Sequence, residues 1–383
     1  MKIVFAMHGT GLSGGARAVF EVANRLYDRG YDVSIIALGN GHSWFKVRVP
    51  MYYIKPPRLL SIIIRMYRLL KFREFKGVVP YYGVCGFARR LGFYADLVRP
   101  LADALSQLNP DIAIATWYPT ALSVWLSNAG RPFFFMQDFP ELVQEVDGIY
   151  GLRMFEAVLR LPFYFLANSS YTRDLILHFN RDAKVRVVGV GIDLNTFYPR
   201  SVRIVNSGGK SIVMTVIRET KYKGGDIALK ALNIINRRLP IHAILVGSRS
   251  TVSILLSEVR PEFTYSVFSN IDDETLAKLY SSADLFIFTS YRESFGLPPL
   301  EAMACGTAVV TTDCGGVRDY VIDGYNALVV PPGNLEAVAE ASLKVLRDEK
   351  LRERLVRNGI ETAKQYTWDK VVDKFEEAIK SPQ

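Results

Sequence analysis

The stretch Glu293-Ser-Phe-Gly-Leu-Pro-Pro-Leu-Glu301-Ala-Met-Ala-Cys-Gly306 decides the fold of this chain. It comes directly after Leu285–Thr289, an apolar run typical of a buried strand, and it opens a short helix whose first turn holds two prolines. A loop that leads into a helix N-terminus presents free backbone N–H groups and the positive end of the helix dipole, which together suit a phosphate. The stretch therefore predicts an α/β domain whose anion-binding loop follows a strand.

Two carboxylates stand eight positions apart within this stretch. Glu293 falls in the loop and Glu301 in the helix, so the two can hydrogen-bond two different sets of hydroxyl groups. Gly296, between them, lets the backbone come close to a ligand. The alternative interpretation is an ordinary strand–loop–helix connection with two surface glutamates, and the full string favours a ligand site.

A second constellation begins at Arg218 and runs through Lys223 to a pair of glycines. It follows the apolar run Ile212–Ile217 and precedes a helical pattern, so both cations stand at the end of a strand. Two cations placed there can clamp a diphosphate, and arginine can do so bidentately. The alternative is a solvated basic turn.

Apolar runs and helical patterns alternate along both halves of the chain, which predicts parallel sheets covered on both faces by helices. This alternation is interrupted at residues 199–210, PRSVRIVNSGGK, where the composition is that of a polar, glycine-containing linker. The length of 383 residues also favours two domains. We therefore expect two Rossmann-like β/α/β domains, 1–198 and 199–366, that face each other across a cleft lined by the carboxyl ends of the strands.

Cysteine and histidine usage restricts the function classes. Cys85, Cys305 and Cys314 are far apart in the sequence, which favours a reducing compartment over a disulfide framework or a zinc cluster. The chain holds no D-x-D triplet, and its four histidines are scattered, so no metal is expected. The first residues form an apolar run that is too short for a signal peptide. No run in the sequence approaches the roughly 20 apolar residues of a membrane span. These features predict a cytoplasmic protein.

The net positive charge is confined to the N-terminal half. Residues 1–200 hold 24 Lys and Arg against 15 Asp and Glu, whereas residues 201–383 hold 23 of each. Residues 57–76 mix aliphatic side chains with six bases that fall on one side of a helical wheel. Such a helix can lie on an anionic membrane surface, as a peripheral protein would; the alternative is a core-packed helix with a solvated face. A nucleic-acid partner is disfavoured because the aromatic residues form no stacking pattern.

The glycines Gly9, Gly11 and Gly14 form a literal G-x-G-x-x-G after the first predicted strand. A dinucleotide site also needs an acidic residue at the end of the second strand. That strand ends at Leu38-Gly-Asn, and Asp32 stands at its other end. A dinucleotide-dependent dehydrogenase is therefore disfavoured.

The E-x7-E string resembles the signature of the retaining GT-B glycosyltransferases, specifically glycosyltransferase family 4, group 1. The resemblance continues through Ser282-Ala-Asp284 and Gly315-Gly316 and covers essentially the C-terminal half. It implies that Glu293 contacts the donor sugar and that Glu301 holds the ribose hydroxyls of the nucleotide. It also implies that Arg218 and Lys223 bind the diphosphate. The remaining donor-binding residues that it implies are those of the loop, Ser294, Phe295, Gly296 and Leu297.

In the N-terminal half the resemblance implies that the pair Gly14 and Gly15 closes over the donor phosphates or the acceptor. Many family members carry a His-Asp pair after a mid-domain strand, and this chain has Gln137 and Asp138 there. Gln137 is a sugar-contact candidate that cannot titrate near neutral pH, and Asp138 is a catalytic candidate. Some members resembling rhamnosyltransferases share this Gln-Asp form, which points to a deoxysugar donor.

The resemblance implies a metal-independent transfer, without cofactor, of a sugar from a nucleotide diphosphate to a glycan, a lipid-linked sugar or another hydroxyl acceptor. The biological setting would be synthesis of cell-surface polysaccharide or glycoconjugate. It also implies that a C-terminal helix, 367–383, returns to pack on the N-terminal domain. The alternatives are a sugar-nucleotide epimerase and a non-catalytic relative with the same two domains.

Overall fold

The computed structural model describes residues 1–39, 41–55 and 94–381, of which 94–97 are described by their backbone only. The chain divides into two compact units, one made of Met1–Val190 with Trp368–Gln383 and the other of Gly191–Thr367. The sequence pattern placed this boundary a little later, at residue 198. The basic segment 57–76 and Cys85 lie outside the described residues.

The first unit is built on a seven-stranded sheet with the order β3-β2-β1-β4-β5-β6-β7, and every pairing in it is parallel. Its central strands are short and almost wholly apolar because both faces of the sheet are buried. The strands are β1 Lys2–Met7, β2 Asp32–Leu38, β3 Met51–Ile54, β4 Ile112–Ala115, β5 Arg131–Met136, β6 Tyr164–Ala167 and β7 Lys184–Val187. The described helices of the unit are α1 Gly14–Asp28, α2 Tyr94–Leu108, α3 Tyr118–Ser127, α4 Pro140–Leu159 and α5 Ser170–Phe179.

The second unit holds a six-stranded parallel sheet with the order β10-β9-β8-β11-β12-β13. The sequence order reverses between β8 and β11, and ligands of such sheets bind beyond the carboxyl ends of the strands at this point. The strands are β8 Ser211–Val216, β9 Ile241–Val246, β10 Thr264–Phe268, β11 Leu285–Phe288, β12 Ala308–Thr312 and β13 Leu328–Val330. The helices are α6 Gly225–Arg238, α7 Arg249–Val259, α8 Asp273–Ser282, α9 Leu297–Ala304, α10 Leu335–Arg347 and α11 Glu349–Ala363.

The last helix, α12 Trp368–Lys380, belongs to the first unit. Its Phe375 is fully buried, with ring centroids 6.1 Å from Phe5 and 5.5 Å from Phe135. At the rim, Arg29, which caps the C-terminus of α1, donates to Asp373 and Glu376, each at 2.7 Å. The helix is therefore attached by an apolar centre and a charged edge.

The α/β prediction of two Rossmann-like units with parallel sheets is confirmed. Strands β3 and β10 and helices α7 and α11 were not anticipated. β10 is a sheet edge with exposed and half-buried residues only, so its sequence, TYSVF, lacks the apolar run of a central strand. Within the described ranges, every helix is too short or too polar to traverse a lipid bilayer.

Candidate active site

Three neighbouring strands of the second unit, β8, β11 and β12, send their following loops to one edge of the sheet. The loop after β8 carries Lys223, and the loop after β11 carries Glu293. The loop after β12 contains Cys314, whose carbonyl accepts the Glu293 amide at 2.7 Å. Because parallel strands end on the same side, residues 70 positions apart in sequence meet here.

Lys223 and Glu293 form an ion pair in which the Lys223 Nζ lies 2.7 Å from one carboxylate oxygen of Glu293 and 2.8 Å from the other. The side chains are 25% and 9% exposed, so the pair is largely shielded from water. Burial opposes the charge on Lys223, but the adjacent Glu293 carboxylate outweighs it, and the pKa of Lys223 is raised. Lys223 is therefore held charged at the edge of the sheet.

Glu293 has a second partner that the sequence did not reveal. The hydroxyl of Ser290, which is 1% exposed, donates to Glu293 Oε1 at 2.7 Å. The backbone of Glu293 is fixed as well, because the Gly316 amide donates to its carbonyl at 2.9 Å. The carboxylate is thus oriented by two donors before any ligand arrives.

Gly296 and Gly316 determine the shape of the loop that follows Glu293. Gly296 is the N-cap of α9 with φ of 85°, a conformation that residues with a Cβ rarely adopt. A Cβ on Gly316 would lie 2.1 Å from the carbonyl oxygen of Ser294, so the loops after β11 and β12 touch backbone to backbone. The predicted glycine at 296 is therefore required by backbone conformation, and the one at 316 by a close approach.

The three other predicted loop residues have different environments. Phe295 is 3% exposed, with its ring centroid 5.4 Å from Tyr320 and 6.3 Å from Tyr366, so its side chain belongs to the core. Ser294 and Leu297 are half-buried. Any ligand contact from Phe295 must therefore come from its backbone.

Glu301 lies in the second turn of α9, where the hydroxyl of Tyr280 donates to its Oε2 at 3.1 Å. Burial, and next the Glu301 carboxylate, raise the pKa of Tyr280 well above its usual value. The same two causes raise the pKa of the neighbouring Cys305 thiol to about 12. Both observations place the Glu301 carboxylate among buried groups of the sheet edge.

Arg218 follows β8 and is exposed. Within the described part of the chain it makes no hydrogen bond or ion pair. Its positive charge nevertheless acts on Lys223 and Tyr280: it lowers the pKa of each, although other contributions raise both values overall. The structure therefore brings Arg218, Lys223, Glu293 and Glu301 into one electrostatic neighbourhood. An anion placed at the N-terminus of α9 would meet two cations and the helix dipole.

The candidates of the first unit form a separate group. Gln137 follows β5, and its Nε2 donates to the Gly15 carbonyl at 3.2 Å, so these two predicted residues touch. Gly14 is exposed at the start of α1. Asp138 is 1% exposed, and its Oδ2 accepts the Tyr118 amide at 2.9 Å, which fixes the start of α3. Asp138 thus has a clear structural role.

Sequence reasoning missed Ser290 and Tyr280. Ser290 lies three residues before Glu293, but a serine at a strand end is too common to single out. Tyr280 stands two residues before Ser282-Ala-Asp284, and nothing in the sequence indicates that its hydroxyl reaches α9. Among the described residues, His, Cys, Asp and Glu side chains form no group of three or more that could hold a metal ion.

Two parallel-sheet units, one with paired cations and carboxylates at a strand-to-helix edge, define the class of twin-Rossmann proteins that contains the GT-B glycosyltransferases. Comparison with known families supports this class. Residues 200–362 match the model described as glycosyl transferases group 1, and residues 12–196 match glycosyltransferase family 4. The chain belongs to glycosyltransferase family 4, group 1.

Individual relatives are distant. The chain is 29% identical over 216 residues to D-inositol 3-phosphate glycosyltransferase of Corynebacterium aurimucosum, which is 51% of each protein. It is 26% identical over 220 residues to the N,N'-diacetylbacillosaminyl-diphospho-undecaprenol alpha-1,3-N-acetylgalactosaminyltransferase of Campylobacter jejuni, covering 55% of this chain and 57% of the relative. The chain spans about half the length of the curated relatives it matches.

Solved structures share the fold over the whole chain. Sucrose-phosphate synthase from Thermosynechococcus elongatus gives a TM-score of 0.80 at 17% identity, covering 99% of this chain and 98% of that one. The Anabaena protein HepE, in complex with UDP and glucose, gives 0.76 at 18% identity and covers 100% of both chains. These similarities confirm the GT-B fold.

Proposed function

We propose that the protein transfers a sugar from a nucleotide diphosphate sugar to a hydroxyl acceptor, and that the second unit binds the donor. The observation that carries this proposal is the Lys223–Glu293 pair at the N-terminus of α9, with Arg218 and Glu301 in the same neighbourhood. Cations suit the diphosphate, and the two carboxylates suit the hydroxyls of sugar and ribose. Family membership supports the same assignment.

In the proposed reaction the bond between the anomeric carbon and the β-phosphate oxygen breaks, and the acceptor oxygen bonds to the same carbon. The acceptor's proton passes to the departing diphosphate, so the products are a glycoside and a nucleoside diphosphate. Negative charge grows on the diphosphate as the bond breaks. Lys223, Arg218 and the end of α9 would stabilise that charge by preorganised electrostatics.

We propose that configuration at the anomeric carbon is retained, because the acceptor attacks the face from which the diphosphate leaves. We also propose that no metal takes part, since two cations and a helix end already supply positive charge at the leaving group. Glu293, held by Ser290 and Lys223, would contact the donor sugar. Ser294, Phe295, Gly296 and Leu297 would contribute backbone amides to the donor.

For the acceptor we propose a glycan or a lipid-linked sugar, in cell-surface polysaccharide or glycoconjugate synthesis. The Campylobacter relative, which acts on an undecaprenol-linked sugar by its name, supports this choice. A peripheral position on an anionic membrane through residues 57–76 stays part of the proposal. Gln137, Asp138, Gly14 and Gly15 are proposed to serve the same reaction from the first unit.

The donor is identified first by thermal shift with UDP, GDP, dTDP and ADP and their common sugars, with EDTA present. A ligand that binds the folded protein raises its midpoint by mass action. We expect one nucleotide to act and EDTA to leave its effect unchanged. A shift that EDTA abolishes would contradict metal independence.

Variants then test the residues. Lys223→Ala and Arg218→Ala are expected to weaken nucleoside diphosphate binding, and Glu293→Ala to abolish transfer. Lys221→Ala is the matched control, because Lys221 is an exposed lysine in the same turn. Equal loss in Lys221→Ala would show that net charge, rather than the pair, binds the diphosphate.

Product analysis separates transfer from the alternatives. Anomeric proton NMR of the glycoside should show the configuration of the donor, and an inverted product would refute retention. A new nucleotide sugar formed without any acceptor would identify an epimerase. Liposomes with anionic lipid should bind the wild type and should bind a variant with neutralised bases in residues 57–76 less well; equal binding would remove the membrane proposal.

A further inference from the structure

Each carboxylate of the proposed donor site accepts a hydrogen bond from a buried hydroxyl group. Ser290 donates to Glu293, and Tyr280 donates to Glu301. Ser290 is a local neighbour of its carboxylate, three residues away, whereas Tyr280 reaches Glu301 from another helix, α8. The second contact therefore links two elements of the fold at the point where the nucleotide is proposed to bind.

Tyr280 is held rigidly. Its side chain is fully buried, and its ring stands edge-on to Phe286 at 5.2 Å between centroids, with Phe197 on another side at 6.4 Å. The Thr307 hydroxyl donates to the Tyr280 carbonyl at 2.6 Å, which fixes the end of α8. A phenol anchored in this way can orient a neighbouring carboxylate, because its own rotamer is set by packing.

The chemical state of Tyr280 suits the role of donor. Burial and the nearby carboxylate raise its pKa, so the phenol stays neutral and keeps its proton near neutral pH. An ionised carboxylate only accepts hydrogen bonds, and it has about four lone-pair sites. The bond from Tyr280 takes up one of these sites and fixes the direction of the carboxylate.

We propose that Tyr280 is a positioning residue for ribose recognition, whose hydroxyl orients the Glu301 carboxylate to accept hydrogen bonds from the 2'- and 3'-hydroxyls of the donor nucleotide. This inference rests on the proposed function, in which Glu301 faces the ribose. It makes Tyr280 a determinant of specificity for ribonucleotides over analogues that lack both hydroxyls. Tyr280 does not touch the ligand itself.

The test measures dissociation constants by calorimetry for the full chain with two ligands, the nucleoside diphosphate found by thermal shift and its 2',3'-dideoxy analogue. The wild type should bind the ribonucleotide more tightly, and Tyr280→Phe should reduce this preference by roughly tenfold, the value of one hydrogen bond to a charged group. The dideoxy analogue should bind Tyr280→Phe and the wild type alike.

Two controls separate positioning from packing. Thr307→Val removes a buried hydrogen bond to the same tyrosine but leaves the phenol in place, so it should keep the ribose preference. Ser290→Ala alters the hydroxyl that serves Glu293, so it should also keep the ribose preference while lowering the advantage of the nucleotide sugar over the free diphosphate. Both variants are compared by unfolding midpoint to show that they are folded.

Each outcome decides one statement. If the wild type itself does not distinguish the two ligands, Glu301 does not face the ribose and that part of the proposed function fails. If the wild type distinguishes them and Tyr280→Phe does so equally well, the inference on Tyr280 is overturned. If Tyr280→Phe weakens both ligands by the same factor, its role is packing and the inference is again overturned.

Discussion

Removing the cation from the Lys223–Glu293 pair should destabilise the second unit measurably. Lys223→Met keeps the length of the side chain and leaves the Glu293 carboxylate, among the contacts described above, with the hydrogen bond from Ser290 alone. Breaking a buried pair from one side costs roughly 3–5 kcal/mol because the remaining charge stays desolvated. Lys223 is 25% exposed and Glu293 9%, so water can relieve part of that cost, and we expect about 2–3 kcal/mol.

A double-mutant cycle isolates the pair itself. Glu293→Gln should cost less than Lys223→Met, and the double variant should cost clearly less than the sum, because it buries no unpaired charge. We expect a coupling free energy of about 1.5–2 kcal/mol. Additivity within about 0.5 kcal/mol would refute the view that the two charges stabilise each other.

The assay must report on the second unit alone. All four tryptophans, at positions 44, 117, 125 and 368, belong to the first unit, so tryptophan fluorescence follows only that unit. Hydrogen exchange in strands β8 and β11 reports the second unit, and fluorescence serves as the internal control. A fluorescence transition that moves with the exchange data would mean that the units unfold together, and the cost would then be read from a single transition.

The pH dependence of the same variant has a definite sign. The pKa of Lys223 is raised in the folded protein above its ordinary value of 10.5. Its stabilising contribution is therefore complete below about pH 10.4, the unfolded value, and is lost as the pH rises through the folded pKa. The stability difference between the wild type and Lys223→Met should stay constant from pH 7 to about 10 and shrink only as the pH rises above that unfolded value.

Three further predictions follow from other parts of the molecule. Hydrogen bonds from Lys380, Tyr31 and Arg29 lower the pKa of Glu376 to about 2, so the attachment of α12 should be stable above about pH 4.5 and weaken as the pH falls toward 2. Glu376→Gln should remove this pH dependence in an acid titration followed by fluorescence, and a titration that the substitution leaves unchanged would contradict the prediction. Gly316→Ala should destabilise the second unit by about 2 kcal/mol, because the added Cβ would overlap the Ser294 carbonyl. Gly11→Ala, where the added Cβ meets open space, should cost much less, and equal costs in unfolding experiments would disprove the close approach at Gly316. Cys305, with a pKa of about 12, should resist iodoacetamide in the folded protein and react in urea, and rapid native labelling would show that it is accessible.

The sequence predicted the sheet strands well where they are central. The predicted runs Leu285–Thr289 and Ile212–Ile217 differ from strands β11 and β8 by at most one residue at either end, because buried parallel strands are short uninterrupted apolar runs. The edge strand Thr264–Phe268 escaped, because an edge strand needs no such run. Helix α9 begins at Leu297 because Gly296 takes the cap position, so the two prolines stand in its first turn as the sequence predicted.

The candidate site was predictable only in part, for a physical reason. Arg218, Lys223, Glu293 and Glu301 are charged residues that stand near glycines at strand ends, and such residues are conspicuous in a sequence. A buried tyrosine looks like any other core residue, so nothing in the sequence separates Tyr280 from Tyr320. The partner of a hydroxyl depends on the packing of two elements, and here helix α8 must lie beside helix α9 before the contact exists.

The pair Gly315-Gly316 illustrates how the structure explains a motif that the sequence only marked. Gly316 donates its amide to the Glu293 carbonyl and has no room for a Cβ against Ser294, so the loop after β12 serves as the support for the loop after β11. The position of Glu293 is consequently fixed from two sides, by Lys223 through its carboxylate and by Gly316 through its backbone. A substitution at Gly316 should therefore displace Glu293 as much as it destabilises the fold, which makes this glycine part of the proposed donor site although it carries no side chain.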